Sequence, residues 1–454
     1  MLNLDPESRG MVATCPKAQI LIGIIGVLKS VNFPPHRKET MVNRGRFSRR
    51  IVFGLLVMIV ALTLIAACGS DKAPPPTPTA VPEVGSLGVG ALPTPVPADA
   101  EVVEDTGPRI GEVGSVAQEI QGISGWINSD SFTLESLRGK VVLIDFWTYT
   151  CVNCIRTMPF LREWHEKYAD EGLVIVGVHS PEFEFEEVRE NVEAAVDEFQ
   201  IEWPVLQDNE MQTWRAFNNR FWPAKYLIDK EGVIQYTHFG EGSYDETELE
   251  IRKLLEEAGA SIDVIAANSD PGPMFDEQSS SGGIETGQTR ELYAGLERNS
   301  NSQLPYIIQV ELYQSPPDTP ILLEDPGEHL NHFLYLHGMW RNGLEHVQHA
   351  RVTEDMEDYA ALMYYGTSVN VVLGSEGEPY RVYLTIDDEP IPLADWGQDI
   401  QEDDEGRTFI LVDQDRMYRL VESNEYGGHE MKLTSNSDEF AIFAFTFGSY
   451  GIGP

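Results

Sequence analysis

The sequence predicts an α/β domain followed by an all-β sandwich. Three observations carry that prediction. A continuous apolar run, Val141-Val142-Leu143-Ile144, is followed within ten residues by two cysteines and then by a helical repeat. From Tyr306 onward the pattern changes to short alternating runs separated by turns that contain Gly, Asp and Asn. Between the two patterns, residues 261–288 are rich in Ser, Gly and Asp and read as a linker.

The apolar run at Val141 reads as a strand buried on both faces, as in a parallel sheet. Downstream, Ile155, Met158, Leu161, Trp164 or His165, and Tyr168 recur at helical spacing. Cys151 and Cys154 therefore sit where a buried strand hands over to a helix. Cys151 would meet the unsatisfied N–H groups and positive dipole end of that helix. Such surroundings favour the thiolate, which is the nucleophilic form. Cys154, one turn on, would lie deeper and within reach of Cys151. One sulfur would attack a partner disulfide and the other would resolve the mixed disulfide. Asp145 lies on the same strand, six residues before Cys151. An acid in a strand buried on both faces is costly unless it works or is paired.

The other elements follow in order. Gly125-Trp126-Ile127-Asn128 to Leu137 reads as a short hairpin leading into the central strand. Leu173 to Val178 is a second buried strand. Glu187 to Phe199 is an acidic helix with apolar Val188, Val192, Ala195 and Val196. A short strand near Pro204-Val205-Leu206 and a helix from Asn209 to Phe217 come next. Ala224 to Ile228 and Val233 to Phe239 flank Asp229-Lys230-Glu231-Gly232, a hairpin turn signal, and Glu246 to Ala258 is the closing helix. In the C-terminal part, Val369 to Leu373, Arg381 to Ile386, Phe409 to Val412, Met417 to Val421 and Phe440 to Phe447 are the strand candidates of a sandwich.

At 454 residues the chain calls for two domains plus linkers. Its formal charge is −41; residues 1–67 carry 9 Lys/Arg and 3 Asp/Glu, and the remainder carries 23 and 70, a charge of −47. A chain this acidic is repelled by nucleic acid and by anionic membrane surfaces. Residues 1–67 read as an N-terminal extension and a secretory signal: Arg44, Arg46, Arg49 and Arg50 precede the apolar run Ile51 to Leu64. Ile65-Ala66-Ala67-Cys68 then fits a bacterial lipobox, in which the cysteine is lipidated and becomes the mature N-terminus. An uncleaved membrane-spanning helix is the competing reading. Met41 is a better start than Met1. Residues 68–108 are a Pro-rich tether in extended polyproline II form. At ~3.1 Å per residue it reaches on the order of 100 Å. The folded part would thus be extracytoplasmic and lipid-anchored to the cell membrane.

Four cysteines, Cys15, Cys68, Cys151 and Cys154, are too few for a disulfide-stapled scaffold. No second Cys-x-x-Cys completes a zinc site. Cys15 has no chemistry assigned to it. His329, His332, His337, His346 and His349 crowd one stretch, but strand spacing would scatter them over both faces, so no metal is expected there. The dithiol is its own redox group, and no cofactor is called for.

Asp145-Phe146-Trp147, Cys151 and Cys154, and Pro159 five residues after the second cysteine resemble the thioredoxin superfamily. Trp147 to Pro159, His179-Ser180-Pro181-Glu182-Phe183-Glu184-Phe185-Glu186 and Phe239-Gly240-Glu241-Gly242 look very like the soluble part of the TlpA-like and DipZ-type members. The resemblance is strong over roughly residues 110–260 and weaker over 286–448. It implies a thioredoxin fold over 109–260, and over 289–454 a jelly-roll-like sandwich similar to carbohydrate-binding modules. It implies that Asp145 accepts the proton of Cys154, that Pro223 is cis and shapes the substrate groove, and that Trp147 walls the sulfurs. A salt-bridged structural Asp145 and an ordinary strand-start Pro223 are the bland alternatives. The function implied is a thiol–disulfide oxidoreductase, a reductase of protein disulfides, fed by a separate membrane electron donor. The rival is a lipoprotein binding module in which the sandwich takes a glycan or protein and the first domain is an adaptor.

The sequence departs from many TlpA-like proteins, which place Pro before the second cysteine and Glu three residues after it. Here those positions are Asn153 and Thr157. Glu182 is either a substitute acid or an exposed helix-start residue. Thr148 stands three residues before Cys151, as in peroxiredoxins, but the proline of that pattern is Ile144.

Overall fold

The structure, a computed structural model, describes residues 108–262, 264–267, 286–299, 305–375 and 377–449. Cys15, Cys68, the signal segment, nearly all of the tether and most of the linker lie outside the described residues. No helix among the described residues is long and apolar enough to cross a membrane.

The α/β part is built on β2 (Val141–Trp147), every residue of which is buried. It is flanked by β3 (Leu173–His179) in parallel and by β5 (Ala224–Ile228) antiparallel. β4 (Val205–Gln207) continues the parallel side with β1 (Gly125–Ile127) beyond it, and β6 (Ile234–Phe239) closes the other edge, giving the order β1-β4-β3-β2-β5-β6. Period-two alternation sorts β2 between two cores. Val142, Ile144 and Phe146 join Trp214, Phe217 and Tyr226 on one face. Val141, Leu143 and Trp147 join Met158, Leu161 and Trp164 on the other. The second face is covered by α1 (Val152–Tyr168) and α2 (Arg189–Glu198), with α4 (Tyr244–Ala258) after the short α3 (Gln212–Ala216). A fully buried aromatic such as Trp164 is worth about 3–5 kcal/mol against truncation to alanine.

Gly125–Leu137 is not a hairpin. Gly125–Ile127 forms β1, which pairs antiparallel with β4 at Gly125↔Gln207 and Ile127↔Val205. Asn128, at φ 62°, ends the strand, and Glu135–Leu137 is a single 3-10 turn. The partner is about 80 residues away in sequence, so local turn signals pointed to the wrong pairing.

Among the described residues, the C-terminal part is all antiparallel apart from isolated bridges, eleven strands in one continuous sheet with short helices. Its spine is two long strands, β11 (Tyr359–Gly374) and β16 (Arg416–Thr434), paired over most of their length. The first half of β11 also pairs with β9 (Leu334–Asn342), the second half with β17 (Ala441–Gly448). One core results, with Leu336, Trp340, Val371, Tyr418, Leu433 and Phe445 among its fully buried members. β16 runs well beyond Met417–Val421 because Gly428 lies across from Tyr365, where a Cβ would stand 2.4 Å from the tyrosine ring.

Candidate active site

β2, the turn after it and the start of α1 bring the two cysteines together. Cys151 is the N-cap of α1, extended at φ −79° and ψ 107°, and its sulfur accepts the Cys154 N–H at 3.3 Å. The same N–H donates to the Cys151 carbonyl at 3.0 Å, so the sulfur is a second acceptor that caps the helix start. Cys151 is half-buried; Cys154 is 1% exposed and packs with Trp147, Tyr149 and Met158. Both are free thiols. Burial pushes the Cys154 thiol well up, and its hydrogen bond with Cys151 adds to this.

Asp145 is also 1% exposed and shares the α1-covered face of β2 with Leu143 and Trp147. In register, it stands between Gly177 of β3 and Lys225 of β5. Its Oδ1 lies 3.4 Å from Lys225 Nζ, and both side chains are buried. Burial raises the Asp145 carboxyl, and the Lys225 charge only partly offsets it. Asp145 is thus both paired and perturbed. Gly177 is the small partner this packing needs: a Cβ there would lie 3.0 Å from Trp147 Nε1. Trp147 itself is fully buried, edge-on to His179 at 5.1 Å between ring centroids.

The Trp222–Pro223 peptide is cis. Pro223 lies one position beyond the Phe146↔Ala224 pair, at the end of β2 from which the cysteine turn departs. Its carbonyl accepts the Gly240 N–H at 2.8 Å, and Trp222 Nε1 donates to Ser180 O at 3.0 Å. Phe221 and Phe239, 53% and 47% exposed, lie 5.5 Å apart beside it.

Three residues at this site escaped sequence reasoning. Lys225 had a signal, a lysine inside the apolar run Ala224-Lys225-Tyr226-Leu227-Ile228, costly to bury without a partner. His179 is fully buried, stacked on Tyr149 and 3.3 Å from Thr148 Oγ1; burial lowers it from 6.5 to about 3, so it is neutral. Glu186 is fully buried and accepts from Thr150 Oγ1 at 2.6 Å, Thr150 N at 3.3 Å, Phe183 N at 3.1 Å and Glu182 N. It had no signal, being one of four acids in Glu182–Glu187. Glu182 is not an exposed helix-start residue. Its carboxylate is largely shielded and 2.7 Å from Arg298, and burial raises it to about 7.

The β part abuts this site. Phe183 and Phe185 meet Phe443 edge-on at 5.4 and 5.0 Å. Tyr149 donates to Asp415 O at 3.4 Å, and Arg156, 3.8 Å from Glu241, reaches Ser368 Oγ at 3.2 Å. A cavity of about 340 Å³ opens between Val152, Asn153, Arg156 and Glu241 on one side and Arg290 and Phe447 on the other. The histidine stretch is dispersed: His329 pairs with Asp325 and Glu430, His349 with Asp358, and His337 stacks on Tyr359.

Residues 113–237 match the model of the AhpC/TSA family, and residues 289–448 match that of a thioredoxin-like C-terminal domain. Protein DipZ of Mycobacterium tuberculosis is 34% identical over 267 residues, 58% of this chain and 35% of that protein. The chain thus spans about a third of the length of the DipZ relatives it matches. The thiol-disulfide oxidoreductase YkuV of Bacillus subtilis is 31% identical over 140 residues, 31% of this chain and 93% of YkuV. A solved thiol:disulfide interchange protein from a Bacteroides species is 28% identical, covers 32% of this chain and 91% of its own, and has a TM-score of 0.27.

Proposed function

We propose, from the premise that this chain belongs to the thioredoxin-like thiol–disulfide oxidoreductases, that it reduces protein disulfides through Cys151 and Cys154 outside the cytoplasm. The observation that carries this reading is the pairing of a half-buried sulfur at a helix N-cap with a buried sulfur one turn inside. In the proposed reaction the Cys151 thiolate attacks one sulfur of a substrate disulfide. A Cys151–substrate disulfide forms and the other substrate sulfur leaves as a thiolate, which takes a proton from solvent. Asp145 then accepts the Cys154 proton, and Cys154 attacks Cys151 Sγ. The second substrate thiol is released and a Cys151–Cys154 disulfide remains, so two electrons pass to the substrate. Lys225 holds Asp145 ready. Pro223 and the aromatic pair beside it form the docking wall, and Trp147 shields the sulfurs.

The electrons return from a separate membrane donor, and acylated Cys68 holds the protein to the membrane after removal of residues 1–67. The proposed layout is a tether over 68–108, a redox domain over 109–260, a linker over 261–288 and a β domain over 289–454. Two matched family models, one on each side of that linker, support the division.

Trapping in membranes tests the assignment. Cys154→Ser is expected to accumulate mixed disulfides on non-reducing gels, and Cys151→Ser to trap almost none. Equal trapping by both would reverse the roles. No trapping, with no exchange with glutathione, would sink the oxidoreductase reading in favour of a binding module. A peroxidatic reading draws on the AhpC/TSA match and on Thr148, and rapid consumption of hydrogen peroxide would favour it.

A further inference from the structure

We propose that Glu186 is a positioning residue for Cys151, holding the backbone that carries the attacking sulfur to a loop seated on the β domain. The proposal rests on Cys151 being the attacking sulfur. Four donors converge on one buried carboxylate. On one side are the amide and hydroxyl of Thr150, the residue before Cys151. On the other are the amides of Glu182 and Phe183. A carboxylate accepts from all four without conflict, since it has two oxygens and no donor. The 182–186 segment is in turn fixed from outside: Glu182 to Arg298 at 2.7 Å, the Glu184 N–H to Glu345 at 3.0 Å, and Phe183 and Phe185 to Phe443. Tyr149, on the other side of Thr150, donates toward Phe185 O and Asp415 O at 3.5 and 3.4 Å.

The turn from Trp147 to Cys151 is thus tied to the β domain by a relay, with Glu186 as its buried link. The titratable groups that act on Glu186 are Glu182, Tyr149 and Glu345; Arg298 pairs with Glu182, and Asp415 lies against Tyr149. A glutamine at 186 presents an NH₂ to one of the two donor pairs and loses it, so even this isosteric change slackens the turn. The expected consequence is a Cys151 sulfur less well placed for in-line attack, a loss of orientation rather than of fold.

The test measures attack on a small model disulfide in a Cys154→Ser background, and the glutathione exchange equilibrium with both cysteines present. Glu186→Gln is expected to slow attack by about tenfold and to move the equilibrium by a few-fold. Thr150→Val, which removes one donor from the relay, is expected to do part of the same, and Thr150→Ser, which keeps the hydroxyl, to recover what Thr150→Val loses. A folded Glu186→Gln protein with parental rate and equilibrium would overturn the proposal. If that variant fails to fold, Thr150→Val decides: a parental rate rejects the relay, and a loss recovered by Thr150→Ser supports it. A parent protein that exchanges with no disulfide would instead reject the oxidoreductase reading, so the two failures are distinct.

Discussion

Two buried aspartates, one in each part of the molecule, are held in opposite ways. Asp358 of the β part is 2% exposed, and its carboxylate is fully served. Arg351 binds both oxygens, the Met339 N–H donates at 3.0 Å, and His349 lies at 3.0 Å. Burial alone would raise it, yet Arg351 and the other donors hold it down to about 2. Asp145 of the α/β part is equally buried and has a single lysine at 3.4 Å, and its carboxyl is raised. A well-served carboxylate is a structural member, because moving a proton onto it discards several hydrogen bonds. A poorly served one can take and return a proton at small cost, as a general base must.

The largest expected effect breaks the comparison on the structural side. Asp358→Ala leaves the buried His349 and the Met339 N–H without their acceptor, while Arg351 keeps Glu357 at 3.6 Å, and is expected to cost about 3 kcal/mol in chemical unfolding. Glutathione exchange by the folded fraction should stay close to parental. A stability loss well under 1 kcal/mol would show that the donors around Asp358 contribute little.

Next is the reactive side. Asp145→Asn is expected to slow release of the mixed disulfide by roughly 10²-fold near neutral pH while leaving the first attack nearly unchanged. Stopped-flow measurement of the two steps separates them. An equal slowing of both would mean that Asp145 acts on fold rather than on the proton.

The smallest effect is a difference in sign. For Asp358 the folded pKa is depressed, so its contribution is present above the unfolded value near 3.8 and is lost as pH falls toward 2, by about 2 kcal/mol. For Asp145 the folded pKa is raised, so the folded state binds the proton more tightly, and stability falls as pH rises from near 3.8 through the raised value. Each parent-minus-Asn stability difference, followed against pH, should therefore slope in opposite directions. Parallel slopes would refute the contrast.

Much of this was legible in the sequence where the pattern was local. The Val141–Ile144 run, the repeat from Ile155 to Tyr168 and the Asp229–Gly232 turn each write their element into adjacent residues, and those elements formed as read. Long-range pairing was not legible. β1 is an edge strand because Gly125–Ile127 finds Val205–Gln207, and β16 stays paired with β11 past Val421, where Gly428 makes room for the Tyr365 ring. At the site, Cys151, Cys154 and Asp145 stood out as chemistry in apolar surroundings. Glu186 did not, because nothing local separates the buried acid in Glu182–Glu187 from its exposed neighbours, and burial is decided by Thr150 and Phe443 elsewhere in the chain.

The sulfur cap on α1 has a consequence for how the protein reports its own state. A thiolate at Cys151 is a strong acceptor for the Cys154 N–H, whereas a disulfide sulfur is a weak one. Oxidation therefore weakens the sulfur's share of that amide's bonding, while the Cys151 carbonyl at 3.0 Å keeps its own. By reciprocity, whatever strengthens the sulfur contact in the reduced state alone favours the reduced couple by the same free energy. The Cys154 amide is thus expected to exchange its proton somewhat faster when the couple is oxidised, a difference that hydrogen exchange reads without touching either sulfur.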